Sequence, residues 1–155
     1  MLKSGVQAPS FELPDLDGKS RSLDEMLADG MPLLLAFFKV SCPVCQLAFP
    51  FLERMAGGGG VRFVAISQDD AAATQKFHQR FSVTFPTLLD SARAGYPASN
   101  AFQITNVPSL FLIEPDGAIS LAISGFSRRD LEALGKRSGA PPFRPDEHVP
   151  EWKAG

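Results

Sequence analysis

Both cysteines of this 155-residue chain lie in one stretch, Cys42-Pro43-Val44-Cys45. Two sulfurs three positions apart can interconvert between dithiol and disulfide with little movement of the scaffold, provided a helix begins at the first. The residue types favour such a start. Cys42 suits the N-cap and Pro43 suits N1, where its missing N–H would be unpaired anyway and its φ is preset. Cys45 then falls at N3, one turn on and on the same side. A sulfur at the N-cap faces free backbone N–H groups and the positive end of the helix dipole, both of which stabilise an anion. The thiolate is the attacking species in disulfide exchange, and cysteines at helix starts in such motifs reach pKa values of about 3.5–7.5, against about 8.5 for a free thiol. The chemistry this spacing points to is exchange. Cys42 attacks a partner disulfide, and Cys45, one turn deeper, attacks Cys42 to release the reduced partner.

Other readings of the polar residues are weaker. A structural zinc site needs four ligands, usually two such pairs, whereas the chain has one pair and two isolated histidines, His78 and His148. Both histidines read as surface residues, and Lys39 as a solvent-facing lysine at a strand end. Asp69-Asp70 reads as a helix cap. Gly57 to Gly60 is no phosphate loop, since no Gly-Lys-Ser/Thr follows it. No metal or other cofactor is expected.

The elements that must hold the pair follow from the apolar pattern. Leu33 to Lys39 is a nearly continuous apolar run, as in a central strand covered on both faces. A helix from Pro43 to about Met55 follows, and Gly57 to Gly60 ends it. Upstream, Ser22-Leu23-Asp24-Glu25 is a capping box for a helix over Leu23 to about Asp29. Downstream come a strand over 61–67, a helix over Ala71 to Phe81, a short strand at Thr87-Leu88-Leu89 and a helix over Ala94 to Phe102 broken by Pro97. Strands at 109–113 and 118–123 flank the turn Glu114-Pro115-Asp116-Gly117. Ser127 with Asp130 caps a last helix to about Arg137, closed by Gly139. This order predicts an α/β fold, a central mixed sheet with helices on both faces, over residues 1–139. Residues 140–155, holding four prolines, read as an extended tail. Trp152, the only tryptophan, either pins that tail to the body or hangs free with it.

The bulk numbers fit one domain with a full core: 45% hydrophobic residues, thirteen phenylalanines and a net charge of −2. No basic block points to nucleic acid or an anionic membrane. The apolar run Met31 to Phe38 is too short to span a bilayer, and Met1 to Glu12 shows no export signal. The expectation is a cytoplasmic monomer, or a periplasmic one if an export signal was trimmed.

Beside this reading stands a resemblance. Ala8-Pro9-Ser10-Phe11, the strand and helix start Phe37 to Cys45, Pro50 five residues past Cys45, and Val107-Pro108 before Ser109 to Ile113 together resemble the thioredoxin superfamily. Within it they are similar to the redoxin or TlpA-like group of the AhpC/TSA-type clan. The resemblance covers about Gly5 to Arg137. It implies a thioredoxin-like fold carrying that group's extra αβ insertion, Ala65 to Asp90. It also implies a cis Pro108 whose loop lies against the sulfurs, with Val107 pairing with a protein partner's backbone and Pro43 and Val44 beside it. The implied activity is thiol-disulfide oxidoreductase, with Cys42 and Cys45 catalytic and a protein dithiol or disulfide as substrate. Three positions depart from the pattern: Ser41 replaces the usual tryptophan, and Ala36 and Ala48 replace carboxylates, which leaves the proton acceptor for Cys45 unassigned. The rival enzyme reading, a peroxiredoxin-type thiol peroxidase, needs P-x-x-x-T-x-x-C, and Leu35 and Lys39 occupy those places. The rival non-enzyme reading, a metal carrier on the same fold, needs a histidine near the cis-proline loop, and none is there.

Overall fold

The computed structural model describes residues 1–155. It opens with an antiparallel hairpin the sequence reading missed, β1 (Glu12–Pro14) and β2 (Ser20–Ser22). Helix α1 (Leu23–Leu27) starts at Ser22, whose Oγ accepts the Glu25 N–H at 3.2 Å. Strand β3 (Leu33–Phe38) follows, then α2 (Pro43–Ala56), β4 (Arg62–Ser67), α3 (Ala71–Phe81) and β5 (Thr87–Leu89). The expected helix over Ala94 to Phe102 is instead a 3-10 turn, Ala92–Ala94, and a separate α4 (Pro97–Ala101). Pro97 begins that helix rather than interrupting one, because its ring fits the first turn and not the interior. The hairpin β6 (Ser109–Ile113) and β7 (Ile119–Ser124), the short β8 (Phe126–Ser127), α5 (Arg128–Ser138) and β9 (Trp152–Lys153) complete the chain. Ser127 and Gly139 cap α5 at its two ends as expected.

Five strands form the central sheet in the order β5-β4-β3-β6-β7, with β3, β4 and β5 parallel and β6 and β7 antiparallel. β3 is the middle strand, and all six of its residues are buried. Its side chains alternate between two cores. Leu34, Ala36 and Phe38 face Cys45, Ala48, Phe49, Leu52 and Met55 of α2, with Phe77 of α3 and Leu131 and Leu134 of α5. Leu33, Leu35 and Phe37 face Leu23 and Met26 of α1 and Ala98 and Phe102 around α4. Because helices cover both faces, β3 shows no polar alternation. The first core is aromatic: Phe49 packs at a tilt against Phe38, 4.5 Å between ring centroids, and edge-on against Phe77 at 5.3 Å. His78 corrects the surface reading. It is half-buried, its Nε2 sits 2.8 Å from Thr87 Oγ1, and burial lowers its pKa.

Two sets of contacts hold the C-terminal part of the chain against α2 and the glycine run that follows it. Gly58 and Gly60 press against the end of α5, where a Cβ on either would collide with the carbonyl oxygen of Ser138 or Arg137. Gly60 N–H donates to Ser138 O at 2.9 Å. The tail, expected only to be extended, folds back over α2. Phe143 packs on Phe51 at 4.9 Å and on Phe126 at 6.0 Å. The Arg54 guanidinium grips Glu147 through two bonds, 2.6 and 3.0 Å, and holds its carboxyl near a pKa of about 2. Trp152 is not the anchor, being 61% exposed; Phe143 is.

Truncating Phe49→Ala removes a fully buried ring and should destabilise the protein by about 3–5 kcal/mol. Trp152→Ala should change stability by no more than about 0.5 kcal/mol. Denaturant unfolding of the two variants checks the contrast.

Candidate active site

The pair sits at the C-terminal end of β3, the end of an open α/β sheet where ligands bind. Cys42 is the N-cap of α2, with φ −79° and ψ 115°, and Pro43 opens the helix. The Cys45 N–H donates to Cys42 Sγ at 3.1 Å. The sulfur therefore fills the role a serine or aspartate oxygen normally takes at a cap. Cys42 O accepts from Gln46 N–H at 3.0 Å, so the helix ladder begins at the same residue.

The loop before the helix is fixed through Val40. Its N–H donates to Asp69 Oδ2 at 2.8 Å, and its carbonyl accepts from Gln46 Nε2 at 2.9 Å. Of the expected capping pair, Asp70 caps α3 by accepting the Ala73 N–H. Asp69 turns the other way and braces the cysteine loop.

The Val107-Pro108 bond is cis. Val107 O lies 3.4 Å from Cys42 Sγ, within reach of the thiol hydrogen. The loop is held by Ser109 Oγ donating to Asn106 O at 2.8 Å and by Gly125 N–H donating to Pro108 O at 2.8 Å. Cys42, Pro43 and Val107 line one open cavity of about 460 Å³, walled also by Lys39, Gln68 and Asn106. Pro108 is buried, and Val44, half-buried, packs against the α2 core.

The two sulfurs differ in surroundings. Both are free thiols, Cys42 partly exposed and Cys45 fully buried. Burial foremost, and then the hydrogen bond with Cys42, pushes the Cys45 thiol far above its ordinary range. Ala36 and Ala48 are packed in the core beside it. No group of three or more His, Cys, Asp and Glu that could hold a metal ion is present, and no helix is long and apolar enough to cross a membrane. Gln68, Asn106 and Gly155, which also line the cavity, escaped the sequence reading. Asn106 was within sight, two residues before Pro108. Nothing in the pattern pointed to Gly155.

Residues 4–122 match the AhpC/TSA family. The chain belongs to that family. Thiol-disulfide oxidoreductase ResA of Halalkalibacterium halodurans is 31% identical over 123 residues, 77% of this chain and 67% of that one. Among solved structures, the thioredoxin domain of a thiol-disulfide oxidoreductase from Bacteroides vulgatus superposes with a TM-score of 0.73 at 22% identity, covering 81% of this chain and 91% of that one. dsbF of MTB, solved in mixed oxidized and reduced forms, gives 0.70 at 27% identity, covering 83% and 92%. The fold is thioredoxin-like. With the paired cysteines in place, the chain is a thiol-disulfide oxidoreductase.

The raised Cys45 pKa makes stability depend on pH. In the unfolded chain the thiol ionises near about 8.5, while in the folded chain it stays protonated well beyond that. Between these limits the folded state binds more protons, so stability falls as pH rises. The reduced protein should lose stability above about pH 8.5 with a slope approaching about 1.4 kcal/mol per pH unit. Cys45→Ala should flatten that slope. Urea unfolding of both proteins between pH 7.5 and 9.5 reads it directly.

Proposed function

We propose that Cys42 is the nucleophile and Cys45 the resolving residue in disulfide exchange with a protein partner. Pro43 and Val107 form the edge against which the partner docks, with Val44 and the buried Pro108 supporting it from behind. The observation that carries the assignment is the Cys45 N–H donated to Cys42 Sγ at 3.1 Å. It supports negative charge on the one sulfur a partner can reach. In the first step a Cys42–partner S–S bond forms, the partner's own S–S bond breaks, and the departing sulfur takes a proton. In the second, Cys45 loses its proton to solvent and attacks Cys42, and the partner's remaining sulfur leaves as a thiolate that takes up a proton from solvent. The protein disulfide forms, the mixed disulfide breaks, and two electrons have passed to the partner. Run backwards, the same steps oxidise a partner dithiol. Both sulfurs and the cis-proline loop belong to one chain, which supports a monomer as the working unit.

A thiol peroxidase is disfavoured at particular positions. Leu35 is buried in the middle of β3, and Lys39 is exposed at its end. Neither supplies the proline and hydroxyl of the peroxidase pattern. The metal-carrier reading finds no histidine among the residues lining the cavity.

Cys45→Ser should accumulate mixed disulfides with partner proteins in cell extracts, and Cys42→Ser should accumulate none, as read on non-reducing gels. The same proteins trapped equally by both variants would overturn the assignment of roles. Hydrogen peroxide consumed in proportion to Cys42 would favour the peroxidase.

A further inference from the structure

The docking edge proposed above is already in contact with the chain's own tail. After Val149 the backbone turns up beside β8, where Lys153 pairs with Phe126 and Trp152 with Ser127 in antiparallel register. Arg128 N–H donates to Glu151 O at 2.9 Å. The segment continues past Gly125, whose position has φ +75° and no room for a Cβ against Lys153 O. It reaches Gly155, which lies against the Val107 carbonyl and Asn106 Nδ2 and forms part of the wall of the Cys42 cavity. A Cβ on Gly155 would collide with Val107 O. The carbonyl that faces Cys42 Sγ at 3.4 Å is thus also in contact with the tail at Gly155.

The attachment is uneven along the tail. Phe143, Glu147 and Val149 are fixed by packing and by Arg54. Residues 151–155 are all exposed and are held by a two-residue strand pair and the Arg128 bond. A short exposed ladder of this kind opens easily, at the low end of local stability.

We propose that residues 151–155 are a selectivity strap: a strand-like segment that occupies in cis the backbone edge an incoming polypeptide would take, and that a protein substrate must displace. This rests on the reading that the partner is a protein. Strand addition at an exposed edge draws its affinity from main-chain hydrogen bonds, so one extended segment competes with another whatever their side chains. A small disulfide needs only the open cavity beside Cys42 and is not excluded. The strap lowers the rate with polypeptides by the fraction of molecules in which the edge is free.

The test uses pre-reduced protein in single-turnover exchange with insulin and, separately, with hydroxyethyl disulfide. It compares the full chain, a variant lacking 151–155, and Gly155→Val, which pushes the strap off Val107 without shortening the chain. Removing the strap should raise the ratio of the insulin rate to the hydroxyethyl disulfide rate about tenfold, as for a polypeptide site open in about one molecule in ten. Gly155→Val should act in the same direction. In the mixed disulfide of Cys45→Ser with insulin, the Arg128 amide should exchange hydrogen faster than in the free variant. Equal ratios for all three proteins, or a lower ratio without the strap, would overturn the strap alone. Failure of the full chain and both variants to reduce insulin, with hydroxyethyl disulfide still reduced, would sink the protein-partner reading and the strap with it.

Discussion

One hydrogen bond, from the Cys45 amide to the sulfur of Cys42, sets the terms for the rest of the molecule. The first N–H groups of any helix lack intrahelical partners, and here a sulfur accepts one of them. The sulfur proposed as the nucleophile is therefore also a structural cap, and its position is fixed by the helix it begins. Everything that fixes the start of α2 fixes the sulfur: Pro43 at N1, Gln46 and Asp69 on either side of Val40, and the central strand that delivers the chain to that point. Chemistry that requires a reactive atom held in place is best served by such support from a second layer of residues.

The site is asymmetric by construction. Cys42 meets solvent and a carbonyl group, while Cys45 meets the aromatic core under β3. Burial penalises the charged form of a thiol, which keeps the inner sulfur protonated and fits the proposed order in which the outer one reacts first. The proposed order invokes no catalytic carboxylate. Alanines stand at both positions where the family pattern places one, and they fill their space in the core.

Much of this was legible in the sequence because the deciding signals are local. The uninterrupted apolar run at 33–38 announced a central strand, and Ser22, Asp70, Ser127 and Gly139 marked helix ends by capping chemistry that depends on a few neighbouring residues. The cysteine spacing with Pro43 between announced the site. What stayed hidden depends on contacts distant in sequence. The hairpin of β1 and β2 has only three residues per strand, too few for alternation to show. His78 looked like a surface residue on its own helix until Thr87 came beside it. The return of the tail rests on Phe143 and Glu147 finding Phe51 and Arg54 some ninety residues upstream, and composition alone gives a proline-rich segment no destination.

By composition, the run Gly57 to Gly60 resembles a spacer. It is a seam, where the end of α2 and the end of α5 meet backbone to backbone with no side chain between them. Protein engineers seeking a permissive place for a reporter peptide would choose it first, and the graft would wedge two helices apart. Since α2 carries both sulfurs, such damage would surface as lost chemistry at the far end of the same helix, and could be mistaken for interference with the thiols themselves.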